Sequence, residues 1–445
     1  MWGGVSVPLW AVHGDGRHVA DDQVVGARER LGWPLTVGFG LQHLLAVAGA
    51  TLLVPVLTGL PPSTTLLFSG VGTLVFLVVT RHHLPAYLGS SVAFLAPLLA
   101  AQGAGPAAQF GGVLVVGLVL AGIGVAVKAL GNRVIDALMP PVVTGAVVML
   151  IGLSLAPTAV ELLSLQPRLG VLTLLTILLA TALLPGLGAR LAIAIGILGG
   201  WAVAVAGGRL DTVRTEAVGD AAWIGLPDFT TPQITPTVVL GMLPVVIVLA
   251  TETIGNVRAI GAVSGTNVNG LTGDALVANG LATTLAGLGG GVGTSVQPLA
   301  TGAMAVSRVF SSATYLVAAL AAIVLSFSPK AGAVLLTVPV GVLGGASLVL
   351  YGLIAVHGAK LWLDNRVDLG DPVTLTVAAT ALVAGVGNLT FTIGEVPVGG
   401  LVWGTVAVMV LYPALRGARR LVGSRGAVPV PNARLRGVGW QLGQK

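Results

Sequence analysis

Gly89-Ser90-Ser91-Val92-Ala93-Phe94-Leu95-Ala96 and Gly293-Thr294-Ser295-Val296-Gln297-Pro298-Leu299-Ala300 are two copies of one stretch, 204 positions apart; five of eight residues are identical and a sixth is Ser against Thr. A second echo, Gly145-Ala146 through Gly152-Leu153 against Gly345-Ala346 through Gly352-Leu353, lies at an offset of 200. Chance similarity in a chain rich in Gly, Ala and Val is the competing explanation, but it does not account for two matches at nearly one offset. The chain reads as one unit written twice. Each copy interrupts an apolar run where an unbroken helix would be expected, and duplicated halves with short, Gly- and Pro-broken hydrophobic segments point to the binding site of a secondary transporter.

Composition sets the class. With 55% hydrophobic and 9% charged residues over 445 positions, there is too little polar side chain to cover a soluble globule. The expectation is an all-α polytopic protein of the lipid bilayer. The chain has no Cys, which excludes disulfides, thiolate catalysis and Cys-based metal sites. The net charge of +6 is scattered between apolar runs instead of gathered on one face, so it reads as a topology signal and not as a nucleic-acid surface.

Residues 1–33 are polar, carry no apolar core of signal-peptide length, and read as a cytosolic N-terminal tail. Fourteen apolar segments follow, at roughly 34–57, 62–80, 87–100, 109–128, 138–156, 169–186, 188–207, 237–256, 274–289, 294–307, 313–327, 332–355, 372–389 and 396–414. Several approach the ~20 residues of a spanning helix. The third and tenth do not, and they hold the repeated stretch. Backbone that leaves the helical path at membrane depth must line a cavity or be buried in protein, because lipid cannot satisfy its N–H and C=O groups. Short extended stretches are therefore expected in spans 3 and 10.

Alternating fourteen spans from a cytosolic amino end puts eighteen of the 22 Lys and Arg inside and leaves only Arg168, Arg209, Arg214 and Lys330 outside. That asymmetry supports the count and orientation by the positive-inside rule. Seven is odd, so the second half enters from the opposite side and the repeat is inverted. Residues 34–414 form the transporter unit and 415–445 a basic cytosolic C-terminal tail, in a multi-pass protein of the cytoplasmic membrane.

Ionisable groups within the spans are costly and mark candidate function. Glu252 is the clearest, in Leu249-Ala250-Thr251-Glu252-Thr253-Ile254-Gly255-Asn256. Desolvation disfavours a charged carboxyl, so Glu252 is a candidate to take up and release a proton; the alternative is a structural carboxyl capped by neighbouring hydroxyls. Asn256, four residues on, shares its helix face. His43 is either a helix-packing histidine or a substrate or proton ligand. Gln297, in the broken tenth segment, can donate and accept and is a candidate substrate contact. Glu395 and Asp364 fall near loop ends, where water reaches them.

Gly40-Leu41-Gln42-His43-Leu44-Leu45 with Gly49-Ala50-Thr51 and Val54-Pro55, Pro85-Ala86-Tyr87-Leu88-Gly89-Ser90-Ser91 with Ala93-Phe94, Glu252 with Gly255, Ala278-Asn279-Gly280-Leu281, and Gly344-Gly345-Ala346-Ser347-Leu348 with Tyr351-Gly352 resemble the nucleobase–cation symporter-2 family, the nucleobase–ascorbate transporters that include uracil and xanthine permeases. The resemblance runs from about residue 34 to 414. It implies a core domain of spans 1–4 and 8–11 (about 34–128 and 237–327) and a gate domain of spans 5–7 and 12–14 (about 138–207 and 332–414). It implies a nucleobase bound between them beside spans 3 and 10, moving with a proton as the coupling ion and with no cofactor, in a homodimer. By the same resemblance Glu252 pairs with the base, Asn256 stands where uracil carriers often have histidine, and Ala50, Val92, Ala93, Gln297, Pro298 and Leu299 line the site. Glu252 and His43 would carry the coupling proton. The departure is Leu299, which stands where uracil carriers have Glu and many xanthine carriers Gln; Gln297 is two residues early.

The expected function is thus proton-coupled uptake of a nucleobase, uracil or a purine such as xanthine. The alternatives are an uncoupled nucleobase facilitator and an anion transporter or channel of the related sulphate-carrier type, although such proteins usually append a soluble domain and only about 30 residues follow Leu415. An enzyme is not expected, since no nucleophile–base pair, paired carboxylates or metal-ligand spacing stands out.

Overall fold

The computed structural model describes residues 9–19, 23–131, 140–185, 192–297, 300–301, 304, 307–393 and 396–423; at 45–46, 48–50, 262–263, 392–393, 396–398 and 420–423 it describes the backbone alone. The apolar runs fold as helices punctuated by their own Pro and Gly. Pro62, Pro106, Pro141, Pro167 and Pro372 stand in the first turns of their helices, where a missing N–H costs nothing. Gly265 (φ 67°) and Gly290 (φ 85°) end theirs in the left-handed conformation that suits a residue without Cβ.

In chain order the elements are β1 (Ala11–Val12), β2 (Glu29–Arg30), α1 (Trp33–Thr58), α2 (Pro62–Val79), β3 (Leu88–Ser90), α3 (Leu95–Ala100), α4 (Pro106–Leu130), α5 (Pro141–Ser154), α6 (Ala156–Leu165), α7 (Pro167–Leu183), α8 (Ala192–Ala206) and α9 (Thr212–Asp220). They continue as α10 (Pro236–Met242), α11 (Val245–Ser264), α12 (Thr272–Gly289), β4 (Thr294–Val296), α13 (Ser312–Ser326), α14 (Pro329–Leu336), α15 (Val340–Asp364), α16 (Pro372–Val386), β5 (Phe391–Ile393), β6 (Val396–Val398) and α17 (Gly400–Gly423). Among the described residues six helical stretches have the length and apolarity to cross a membrane: α2, α4, α5 with α6, α10 with α11, α15 and α17. A seventh is α13 with α14 if that pair, bent by 86°, is one span; α7, α8 and α16 are shorter apolar helices. The expected segment 332–355 does not form one helix. Pro339 precedes α15 with an extended φ/ψ of −65° and 146°, so α14 ends at Leu336 and α15 runs from Val340 to Asp364.

Lipid tails are as apolar as leucine, so helices in a bilayer associate through close contact of small residues more than through hydrophobic exclusion. Gly117 and Gly124 of α4 lie against the backbone of Thr284 and Val277, while Gly280 and Gly287 of α12 lie against that of Ala121 and Leu114. On the other flank Gly70 of α2 meets Ala319 and Ile323 of α13, and Gly40 of α1 meets Thr314 and Val317. Farther along the chain, Gly358 of α15 abuts Met149 of α5, Gly344 abuts Leu163 of α6, and Gly345 abuts Gly170 of α7.

The amino-terminal stretch, read from the sequence as a tail, is docked on the helices in its described part. β1 pairs with β2 in parallel, Val25 N–H donates to Arg308 O (3.0 Å), and Phe310 N–H donates to Val25 O (2.9 Å). Trp10 Nε1 donates to Ser312 Oγ (2.8 Å). Val25, Leu31 and Val309 form a small buried cluster. These apolar positions are too few and too widely spaced to register as an element in sequence; their partners lie nearly 300 residues away.

Candidate functional site

The two copies of the repeated stretch meet. β3 and β4 pair antiparallel with Leu88 opposite Val296, Gly89 opposite Ser295 and Ser90 opposite Thr294. The pairing extends at both ends, Ser91 N–H donating to Gly293 O (2.9 Å) and Gln297 N–H to Tyr87 O (3.0 Å). Two strands too short to be stable alone thereby satisfy each other's buried backbone. Glycine is required at the crossing: a Cβ on Gly89 would strike the Thr51 hydroxyl and the Gln297 side chain, and one on Gly293 would enter the ring of Phe94.

Hydroxyls from neighbouring helices occupy the remaining strand groups. Leu88 N–H donates to Thr73 Oγ1 (2.9 Å), and Ser90 Oγ donates to Thr51 O (2.5 Å). Thr283 Oγ1 donates to Thr294 O (3.1 Å) and accepts from Thr294 N–H (3.2 Å). Asn279 Nδ2 donates to Thr253 Oγ1 (2.9 Å), and its Oδ1 accepts from Thr294 Oγ1 at 3.4 Å. All of Thr253, Asn279, Thr283 and Thr294 have no exposed surface, so this lattice ties α11, α12 and β4 into one unit.

Glu252 projects from α11 onto the crossing. Ser91 Oγ donates to its Oε2 at 3.4 Å, and the Ser295 hydroxyl also donates to it. Ser91 and Ser295 are the third residues of the two copies, so one carboxylate receives one hydroxyl from each half of the chain. It is half-buried and forms no ion pair among the described residues. Asn256 sits one turn on, as its spacing predicts; its Nδ2 donates to Glu252 O (2.8 Å) and to Val296 O (3.1 Å), which pins α11 to β4. Gln297 Nε2 donates to Ser90 O (3.1 Å), across the crossing. After Ser91 the first copy turns helical: Ser91 Oγ accepts from Ala93 N–H (3.3 Å), half-buried Val92 and buried Ala93 form a single 3₁₀ turn, and α3 follows.

His43 is placed elsewhere on α1. It is 1% exposed, its ring lies 4.9 Å from that of Tyr315, and neither ring nitrogen has a hydrogen-bond partner among the described residues. Tyr315 in turn donates to Ala300 O (3.2 Å), the last residue of the second copy. Ala50 falls in α1 with its side chain outside the described residues, and Pro298, Leu299 and Glu395 also lie outside them. Asp364 is exposed at the end of α15. The structure thus brings Glu252, Asn256, Gln297, Val92 and Ala93 to one junction. Ser91 and Ser295 were missed as ligands of Glu252; their matched place in the two copies was the available signal. Among the described residues no group of three or more His, Asp or Glu could hold a metal ion.

Comparison with known proteins accords with this geometry. The sequence model of the family described as Permease family (Xan_ur_permease) matches residues 35–394. RutG of Escherichia coli (strain K12) is 41% identical over 415 residues, 90% of this chain and 93% of its own. The uracil permease of Bacillus caldolyticus is 36% identical over 377 residues (81% and 87% of the two chains), and that of Escherichia coli (strain K12) 33% over 397 (86% and 92%). Among solved structures, the transmembrane domain of the cyanobacterial bicarbonate transporter BicA aligns with a TM-score of 0.52 at 15% identity, over 78% of this chain and 96% of that one. The murine Slc26a9 anion transporter in its inward-facing state aligns with a TM-score of 0.58 at 12% identity, over 91% and 70%. At such identities the likeness is one of fold, that of a membrane transporter. Sequence match, fold and the motifs around Glu252 converge: the chain belongs to the xanthine/uracil permease family.

Proposed function

We propose that this protein is a secondary active transporter that takes up a nucleobase, uracil foremost, across the cytoplasmic membrane together with a proton. The observation that carries the reading is Glu252, a carboxyl group held by one serine from each copy where β3 and β4 cross. A carboxylate accepts hydrogen bonds only, and uracil presents two ring N–H donors. A charge without a cationic partner at membrane depth is costly; a proton, or the donors of a bound base, can offset that cost. The relatives named as uracil permeases support the substrate class.

Fourteen spans in two inverted repeats, with core and gate domains as outlined from the sequence, give this site its place. Two features support the arrangement. The copies cross antiparallel, and the packing is reciprocal: α4 of the first half lies on α12 of the second, while α13 of the second lies on α2 of the first. Cytosolic termini and a homodimer complete the reading. The sulphate-carrier alternative rests on fold likeness alone.

Uptake of radiolabelled uracil by cells expressing the protein tests the proposal. Accumulation above the external level, collapse by an uncoupler, and its loss in Glu252→Gln with the protein still in the membrane are the expected results. Equilibration insensitive to the uncoupler would make the protein a facilitator, and wild-type accumulation by Glu252→Gln would assign that residue to structure. Competition by a panel of purines and pyrimidines orders the substrates, and Leu299→Glu is expected to shift the order further toward uracil.

A further inference from the structure

We propose that the ends of α5, α15, α16 and α17 enclose a phosphate-binding site, built on Arg366 and Arg416 and separate from the Glu252 junction. A cavity of about 590 Å³ lies among these four helix ends, lined by Arg366, Asp368, Asp371, Tyr412, Arg416 and Arg419. The topology proposed above puts all four ends on the cytosolic side, and the inference rests on that topology. The cavity's charges divide into two groups. Asp371 is fully engaged: it accepts from Thr374 N–H (3.0 Å) and Thr374 Oγ1 (2.9 Å) as the cap of α16, and it pairs with Arg419. Asp368 accepts from Gly370 N–H (2.9 Å). Arg416 lies against Tyr412, with a guanidinium-to-ring distance of 5.6 Å and a hydrogen bond from Nη1 to the phenol oxygen of 2.6 Å, but has no carboxylate partner among the described residues. Arg366, at the end of α15 with φ 50°, likewise has no ion pair there.

Two exposed guanidinium groups without an ion pair thus line one concave space against a single further carboxylate, Asp368, which leaves the space a net positive charge, and the neighbouring aromatic ring holds one of them in place. The planar fork of arginine suits phosphate oxygens in a bidentate geometry. A neutral nucleobase carries no negative charge to pair with two cations, which separates this site from the transport site. Basic pockets between helix ends on the cytosolic side take anionic lipid headgroups; a soluble phosphate ester presents the same chemistry.

The test uses the purified full chain in detergent, titrated by calorimetry with dihexanoyl phosphatidylglycerol, dihexanoyl phosphatidylcholine, uridine 5′-monophosphate and inorganic phosphate. Wild type is compared with Arg366→Gln/Arg416→Gln, and with Arg366→Lys/Arg416→Lys, which keeps the charge and loses the fork. The melting temperature of each variant, which does not depend on the transported substrate, checks that it is folded. We expect phosphatidylglycerol to bind in preference to phosphatidylcholine, about tenfold or more weaker in the Gln variant and intermediate in the Lys variant. Loss of nucleotide or phosphate binding instead would identify a soluble phosphate as the occupant. If no anionic probe binds wild type better than phosphatidylcholine, or if the folded Gln and Lys variants bind as wild type does, the site is overturned.

Discussion

The first and second copies of the repeated stretch start alike and part after their fourth residue. Each supplies a short strand, Leu88–Ser90 from the first and Thr294–Val296 from the second, pairs with the other, and offers its serine to Glu252, although Val92 has already turned helical where Val296 is still extended. At the fifth residue the first copy has Ala93, buried in a 3₁₀ turn that continues into α3, and the second has Gln297, whose amide reaches back to Ser90 O. The shared half builds the crossing, and the divergent half distributes the work. One copy supplies a helix start and the other a polar clamp on its partner's strand. A duplicated segment can therefore keep one backbone solution while its side chains take different tasks.

The largest expected effect comes from breaking the shared half. Gly293→Ala places a methyl group in the ring of Phe94, which is fully buried and cannot yield, whereas Gly89→Ala meets the flexible Gln297 side chain and the Thr51 hydroxyl. Overpacking of this kind costs about 1–3 kcal/mol. Both variants should melt earlier in detergent than wild type and lose uptake, Gly293→Ala more severely. An unchanged melting temperature for Gly293→Ala would mean that the copies do not cross this closely.

The divergent half comes next. Gln297→Ala removes one donor from the buried Ser90 carbonyl, a loss of about 1–3 kcal/mol, or roughly tenfold to a hundredfold in affinity if the crossing shapes the site. Ala93→Gly at the matching place removes only a methyl group, with a backbone cost of about 0.5–1 kcal/mol, so its effect on uracil KM should be a few-fold at most. Equal effects from the two would erase the functional asymmetry between the copies.

Ser91→Ala and Ser295→Ala each remove one donor to Glu252, with an expected loss of about 0.5–1.5 kcal/mol apiece. The double variant should exceed the sum, because the first change leaves Glu252 a donor and the second leaves it none among the described residues. Strict additivity in uracil binding would show that the two hydroxyls do not act on one group.

The smallest effect is expected at the docked amino-terminal stretch. There the backbone N–H of Gly26 (3.0 Å) and the imidazole Nδ1 of His13 (2.7 Å) hold the Glu29 carboxyl below the usual glutamate range. A depressed folded-state value stabilises docking above the unfolded value, and that contribution is lost as pH falls through the folded one. The protection of the Val25 and Phe310 amides, which bridge the two segments, relative to their intrinsic exchange rates should fall modestly with acid below the ordinary glutamate range. Glu29→Gln should flatten that dependence, and an unaltered pH profile in the variant would place its cause elsewhere. The amides of β3 and β4 should not follow it.

The membrane class, most apolar segments, the two broken stretches and the placing of Glu252 with Asn256 on one helix face were legible before any fold was known. Hydropathy, Pro and Gly punctuation and helical spacing act over a few residues, so they can be read without the fold. Distant contacts were left open by the sequence and decided by the tertiary structure: the crossing of Gly89 with Ser295 across 206 positions, the convergence of Ser91 and Ser295 on Glu252, the grip of Gln297 on Ser90, the stacking of His43 on Tyr315 and the docking of Val25 against Val309. In each, the side chain has several possible partners of suitable chemistry. Only close packing of the helices, together with the need to satisfy every buried backbone group, selects one.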